Sequence, residues 1–165
     1  MKGMLGELTE GAWWLAVQDI APRDTGKLEE WALSLVFKPT RLITLEDHPQ
    51  AAIPDDQPFG VERVLRVEDL AVVKKITVGL DITHPFTGDL QVSLASPQGK
   101  EAILHNRRGG ATDNILRTYS SLEFSALQPL AGQPAKGDWI LKVKDLAFRD
   151  VGRLNAWRLE LEVEG

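Results

Sequence analysis

The sequence predicts an all-β protein, and three observations carry that reading. Apolar and polar residues alternate with a period of two over several short stretches, Gly, Pro, Asp and Ser punctuate the chain between them, and no stretch shows convincing amphipathic-helix spacing. Many short strands joined by turns bury their inner faces as a sandwich or a barrel of antiparallel strands.

The chain also repeats itself. Gly137–Leu161 matches Gly11–Leu35 at a constant offset of 126 residues without a gap, and 13 of the 25 positions are identical. The shared residues are Gly137, Trp139, Leu141, Val143, Asp145, Ala147, Arg149, Asp150, Gly152, Leu154, Trp157, Leu159 and Leu161, with their counterparts from Gly11 to Leu35. Self-similarity of this kind means two copies of one structural unit. Trp139, Leu141 and Val143 alternate with Ile140, Lys142 and Lys144, and Trp157, Leu159, Leu161 and Val163 alternate with Arg158, Glu160, Glu162 and Glu164. Each set describes a half-buried strand, and Asp145 to Gly152 is the loop between them.

In chain order, residues 1–38 hold the ending of one such module. Trp13, Leu15 and Val17, then Trp31, Leu33, Leu35 and Phe37, are its inward rows. Its opposite faces, Trp14, Ala16, Ala32, Ser34 and Val36, are less charged than those of the second copy and suit burial on both sides. A lone two-stranded hairpin is marginal in water, so this piece is expected to pack on something. Residues 39–56 read as a linker, punctuated by Pro39, Pro49 and Pro54, with room for a short strand at 41–45. A complete domain is expected over 57–165. Strands are expected over 60–68, 72–81, 88–95 and 101–105, with a turn at Ser96-Pro-Gln-Gly99, a polar Gly-rich loop over 107–114, an ambiguous stretch over 119–127, a loop over 130–137 and the closing strand pair.

Composition excludes several function classes. A net charge of −5 with no Lys/Arg cluster argues against nucleic acid, and no apolar run reaches membrane-spanning length. There is no cysteine, so disulfides and thiolate metal sites are excluded, and a bacterial exported or a cytosolic protein fits better than a disulfide-stapled module. No apolar stretch follows Met1-Lys2 as a signal peptide would require, although the repeat suggests that the chain is a fragment.

Three motifs then carry a family resemblance. The first is Thr83-His84 followed by Gly88-Asp89-Leu90, Leu94 and Ser96-Pro97-x-Gly99; the second is Gly109, Gly110, Asp113 and Asn114; the third is the Gly137–Leu161 stretch. In this order, from about Ile53 to Gly165, the chain resembles the P domain (Homo B domain) of the proprotein convertases. That domain follows the subtilisin-like catalytic domain in furin and kexin and is appended to many bacterial secreted peptidases. The resemblance implies a jelly-roll-like β-sandwich of eight strands without catalytic residues. It implies an adjacent peptidase domain that the module stabilises or positions, an influence on calcium and pH dependence, and a secreted (extracellular or periplasmic) bacterial location. The chain departs from the pattern by lacking a catalytic domain, by carrying a headless first copy, and by a short segment between Thr118 and Gly137.

The residues themselves offer little catalytic chemistry. The histidines are His48, His84 and His105, and there is no Gly-x-Ser-x-Gly elbow, no His-Glu-x-x-His and no phosphate loop. His84 has Ser93 and Ser96 nearby in sequence, but reads as a loop residue whose ring bonds the Gly88-Asp89 turn. Asp145, Asp150, Asp89 and Asp113 lie in or beside loops. They admit two readings: carboxylates for a calcium ion, or groups that cap turns. Trp139 and Trp157 read as core, Gly88 and Gly152 as turn residues, and Trp14, on the outward register, as an interface.

The function expected is a non-catalytic module beside a peptidase. The alternative is a tandem interaction or adhesion module of a large exoprotein. A carbohydrate-binding or hydrolytic sandwich would need an aromatic platform or paired carboxylates, and the sequence shows neither. The headless copy is expected either to pair with an edge of the complete domain or to cross to a neighbouring molecule, making a homo-oligomer.

Overall fold

A computed structural model describes residues 12–20, 22–23, 25–35 and 38–165, and the chain divides into two compact units, Met1–Phe37 and Lys38–Gly165. The second unit is built from nine strands: β1 Thr40–Asp47, β2 Ala51–Ile53, β3 Val61–Val67, β4 Val72–Thr83, β5 Leu90–Ala95, β6 Glu101–Asn106, β7 Ile115–Ser120, β8 Gly137–Asp145 and β9 Gly152–Glu164. They form two antiparallel sheets. One has the order β1-β9-β4-β7, with β2 also paired to β9; the other has the order β3-β8-β5-β6. The core lies between them. Trp139, Leu141 and Val143 of β8 and Trp157, Leu159, Leu161 and Val163 of β9 are all buried there, which is the inward set that the alternation marks.

The all-β expectation holds, with four differences in detail. First, residues 40–47 and 51–53 of the stretch read as a linker form β1 and β2 on β9. Ile43 and Leu45 of β1 pack against the core, while Pro39, Pro49 and Pro54 fall outside both strands, where a missing N–H does no harm. Second, β7 occupies 115–120, running two residues into the stretch read as ambiguous, and a 3-10 turn follows at Ser125–Leu130. Only Ile115 and Tyr119 of β7 are buried, because Arg117 interrupts the inward row and Leu116 is 84% exposed. Third, Thr87–Asp89 is a 3-10 turn rather than the start of β5. Fourth, Leu154 and Trp157 are both buried although they lie three residues apart. A β-bulge reconciles them: Asp81 pairs Ala156 and Ile82 pairs Leu154, leaving Asn155 over. The Asn155 side-chain amide donates to Asp81 Oδ1 at 2.9 Å and to Thr83 Oγ1 at 2.8 Å, pinning the bulge.

β8 and β9 do not pair with each other. Each lies inside a different sheet, β8 between β3 and β5 and β9 between β1 and β4, so the Asp145–Gly152 loop crosses the sandwich. The repeated stretch therefore makes none of its ladder hydrogen bonds within itself. That accounts for the first unit, where the predicted strands are absent: residues 12–35, as far as they are described, carry no helix or strand. Trp13 is half-buried and the other described residues there are exposed, with Trp31 at 53% and Trp14 at 91%. Trp139 and Trp157, the counterparts of Trp13 and Trp31, are sealed in the core, because there the partner strands exist. Gly11, Ala21, Asp24, Val36 and Phe37 of the first copy lie outside the described residues. One local feature survives in both copies: Arg23 and Arg149, at matching positions, adopt positive φ of 105° and 117°. At Arg149 the backbone N–H donates to the Asp55 carboxylate at 3.2 Å.

Two predictions follow from this packing. Trp157→Ala, which empties a buried site, should cost about 3–5 kcal/mol. Trp31→Ala, at the same repeat position but half exposed, should change stability by less than about 0.5 kcal/mol; urea unfolding of the two variants checks the contrast. The second concerns acid. Hydrogen bonds from Lys74 and then Lys38 hold the Glu164 carboxyl below its usual value of 4.5. A depressed carboxylate contributes stability above its unfolded pKa and loses it as pH falls through the lower folded value. Stability should therefore decline below about pH 4.5 less steeply in Glu164→Gln than in the parent chain, as read by thermal midpoints across an acid series.

Candidate functional site

His84 sits just past the end of β4 and has no solvent exposure; neither does Asp145, at the end of β8. Their side chains meet, with His84 Nε2 3.1 Å from Asp145 Oδ2. The other ring nitrogen, Nδ1, accepts from the backbone N–H of Phe86 at 3.1 Å. A backbone N–H can only donate, so Nδ1 carries no proton, and Nε2 supplies the hydrogen that faces Asp145. The ring does not bond the Gly88-Asp89 turn, as the sequence suggested. It reaches instead across the sandwich to Asp145, the aspartate that the two copies share, tying the sheet that contains β4 to the sheet that contains β8.

The surrounding groups are equally committed. Asp145 Oδ1 accepts from the Ala147 N–H at 3.1 Å, which makes it the turn cap of the crossing loop. The backbone of His84 pairs twice with Asn114: His84 N–H donates to Asn114 Oδ1 at 3.0 Å, and Asn114 N–H donates to His84 O at 2.8 Å. Asn114 takes a left-handed conformation (φ 60°), which asparagine tolerates well. Gly152 lies against the ring; a Cβ there would come within 2.4 Å of His84 Cδ2 and 2.8 Å of Thr83 O, so only glycine fits. Gly88 is required for a similar reason, since its N–H bonds Gly110 O at 2.9 Å and a Cβ would meet Gly110 Cα at 2.8 Å. All three sequence motifs thus converge on one histidine. The part played by Asn114 is a contact that the sequence marks only as an Asp-Asn pair after two glycines.

The remaining marked residues separate into clear roles. Asp89 caps nothing with its side chain, but its carbonyl accepts from Leu146 N–H at 3.0 Å, joining the 3-10 turn to the crossing loop. Asp150 is half-buried and Asp113 is exposed. Asp145 is closed to a cation by its own partners, and among the described residues no group of three or more His, Cys, Asp or Glu side chains is gathered to hold a metal. No three of the four marked aspartates are therefore gathered in one place. Trp139 is core, and its indole N–H donates to Ala135 O at 2.9 Å; Trp157 is core, with its indole nitrogen buried and unpartnered. Ser93 and Ser96 are buried, and neither hydroxyl bonds His84, whose two nitrogens are both taken. His105 Nε2 bonds Thr87 O at 2.9 Å, and exposed His48 lies 3.6 Å from Glu46.

Breaking this knot should be expensive. Asp145→Ala leaves the His84 Nε2–H and the Ala147 N–H without their acceptor and should cost about 1–3 kcal/mol for each. Asp145→Asn, which keeps an acceptor oxygen, should cost less, and Gly152→Ala should destabilise through the clash with the ring; chemical denaturation of the three variants orders them.

The sequence profile of the proprotein convertase P-domain matches residues 1–35 and 73–161. The leupeptin-inactivating enzyme 1 of Streptomyces exfoliatus is 36% identical over 123 residues, spanning 74% of this chain and 25% of that protein. A calcium-dependent protease of Nostoc sp. is 38% identical over 101 residues, 59% of this chain and 15% of that protein. In fold, the serine protease of Aeromonas sobria, solved with its chaperone, superposes with a TM-score of 0.62 at 21% identity, covering 77% of this chain and 27% of that one. The chain thus spans about a quarter or less of the length of these relatives. With the profile matching most of its length, the chain belongs to the proprotein convertase P-domain family.

Proposed function

We propose that the second unit is a non-catalytic module that stabilises or positions an adjacent peptidase domain in a secreted bacterial protein. The observation that carries this reading is the sealed His84–Asp145 pair. A histidine beside an aspartate is the base-and-orienter half of a hydrolase triad. Here it has no solvent exposure, and the face that a nucleophile would need is bonded to the Phe86 N–H. Its geometry serves to fasten two sheets. The peptidases among the relatives, and the small share of each that this chain spans, support a part that works beside a catalytic domain. None of the described helices is long and apolar enough to cross a membrane.

The test is a replacement. In the calcium-dependent protease of Nostoc sp., the matched segment is exchanged for residues 38–165. Recovery of soluble, active protease relative to a version lacking the segment supports the reading. Failure of the exchange, with rescue by the native segment, contradicts a general stabilising role. Calcium is tested on the isolated chain. We place no calcium on Asp145, Asp150, Asp89 or Asp113, so the isolated chain should keep one thermal midpoint in calcium and in chelator. A rise with calcium would show a site that binds only the folded state.

A second reading, a tandem interaction module, is favoured by one observation: the family profile matches the first copy as well as the second. In that reading, residues 12–35 take up the places of β8 and β9 in another sandwich, and light scattering should give a mass above one chain. A monomer in which this segment is readily cleaved by protease contradicts it.

A further inference from the structure

The two long sides of the sandwich differ. On one side β1 and β3 approach each other, and Arg63 Nε of β3 bonds Asp47 Oδ2 of β1 at 2.8 Å. On the other side β6 and β7 are the outermost strands of their sheets and do not pair, so among the described residues each presents an unpaired backbone edge. Between them opens a cleft of about 680 Å³, lined also by Arg108, Gly109 and Asn114 of the 107–114 loop and by Phe124, Ser125 and Ala126.

The chemistry of this cleft is one-sided. Its walls include His105, Arg108 and Arg117, and no Asp or Glu, in a chain whose net charge is −5. Arg117 alternates with Ile115 and Tyr119 on β7 and so stands on the inward register, where the other strands place apolar residues. Its guanidinium lies 4.9 Å from the centre of the Tyr119 ring. Neither Arg117 nor Arg108 makes an ion pair among the described residues, whereas Arg41, Arg63, Arg66 and Arg158 do. Tyr119 is only 2% exposed, and its hydroxyl is buried without a hydrogen-bond partner. A core built only for stability would fill the Arg117 position with an aliphatic side chain.

We propose that this cleft binds an extended peptide segment bearing carboxylates, which adds a strand to the β6 or β7 edge and places an acidic side chain against Arg117. Main-chain bonds to a free edge supply affinity, and alternate side chains supply selectivity. Two unpaired arginines facing an acid-free cleft select an acidic occupant over a neutral one.

The test titrates the isotope-labelled full chain with acetyl-Val-Glu-Val-Glu-Val-amide and, separately, with its glutamine counterpart, followed by amide chemical shifts. Saturable shifts on residues 103–106 and 115–119 with the glutamate peptide are expected, with binding weakened about tenfold or more by the glutamine exchange and by Arg117→Met. Arg108→Met should also weaken binding while leaving the thermal midpoint unchanged, which separates a ligand role from a packing role. The proposal is overturned by equal binding of the two peptides, by shifts that map elsewhere, or by no saturable shift in a chain whose spectrum is folded. None of these results bears on the peptidase-stabilising role, which the domain exchange tests independently.

Discussion

The structure depends on one buried contact, the imidazole of His84 against the carboxylate of Asp145. Burying two polar side chains between sheets is costly unless every hydrogen-bonding group finds a partner. Here they do: Nδ1 takes the Phe86 N–H, Asp145 Oδ1 takes the Ala147 N–H, and the His84 backbone is closed by Asn114. The rest of that end of the sandwich follows. Gly152 must lack a side chain to admit the ring, the loop from β8 to β9 must cross where Asp145 caps it, and the Gly110 backbone must come close to Gly88. A polar network satisfied at every member specifies one register, which an apolar contact of the same size would not do as sharply.

The repeat shows how much of a strand's existence lies in its neighbours. Trp31 and Trp157 occupy equivalent positions in stretches that share 13 of 25 residues, yet one is half exposed and the other is core. The inward row is the same in both. The second copy's β8 and β9 are each flanked on both sides by strands from elsewhere in the chain, and the first unit supplies none among its described residues. Period-two alternation states which face a strand would bury, while tertiary pairing decides whether the strand forms. The backbone of the crossing loop is less dependent on context, since Arg23 keeps the positive φ of Arg149 without flanking strands.

That distinction accounts for what was legible in the sequence. The fold class, the inward rows of β8 and β9 and the core roles of Trp139 and Trp157 follow from alternation alone. The places where alternation fails are those with a local interruption: Arg117 in β7, the Asn155 bulge in β9, and prolines close enough to β1 and β2 to disguise them as a linker. For the site, the sequence marks His84, Asp145 and Gly152 but not that they touch, because they come from positions 61 and more residues apart. It offers the aspartates as calcium ligands because Asp-x-Gly signals turn caps and ion ligands equally, and only coordinates show Asp145 already occupied.

The central claim is that His84 is a fastening rather than a reacting group, and the state of its ring tests that most directly. Nitrogen NMR of the full chain should show His84 with its proton on Nε2, Nδ1 acting as acceptor, and an Nε2–H signal that exchanges slowly with water because the pair is sealed. A His84 ring with the proton on Nδ1, or one whose nitrogen proton exchanges as fast as that of exposed His48, would contradict the account.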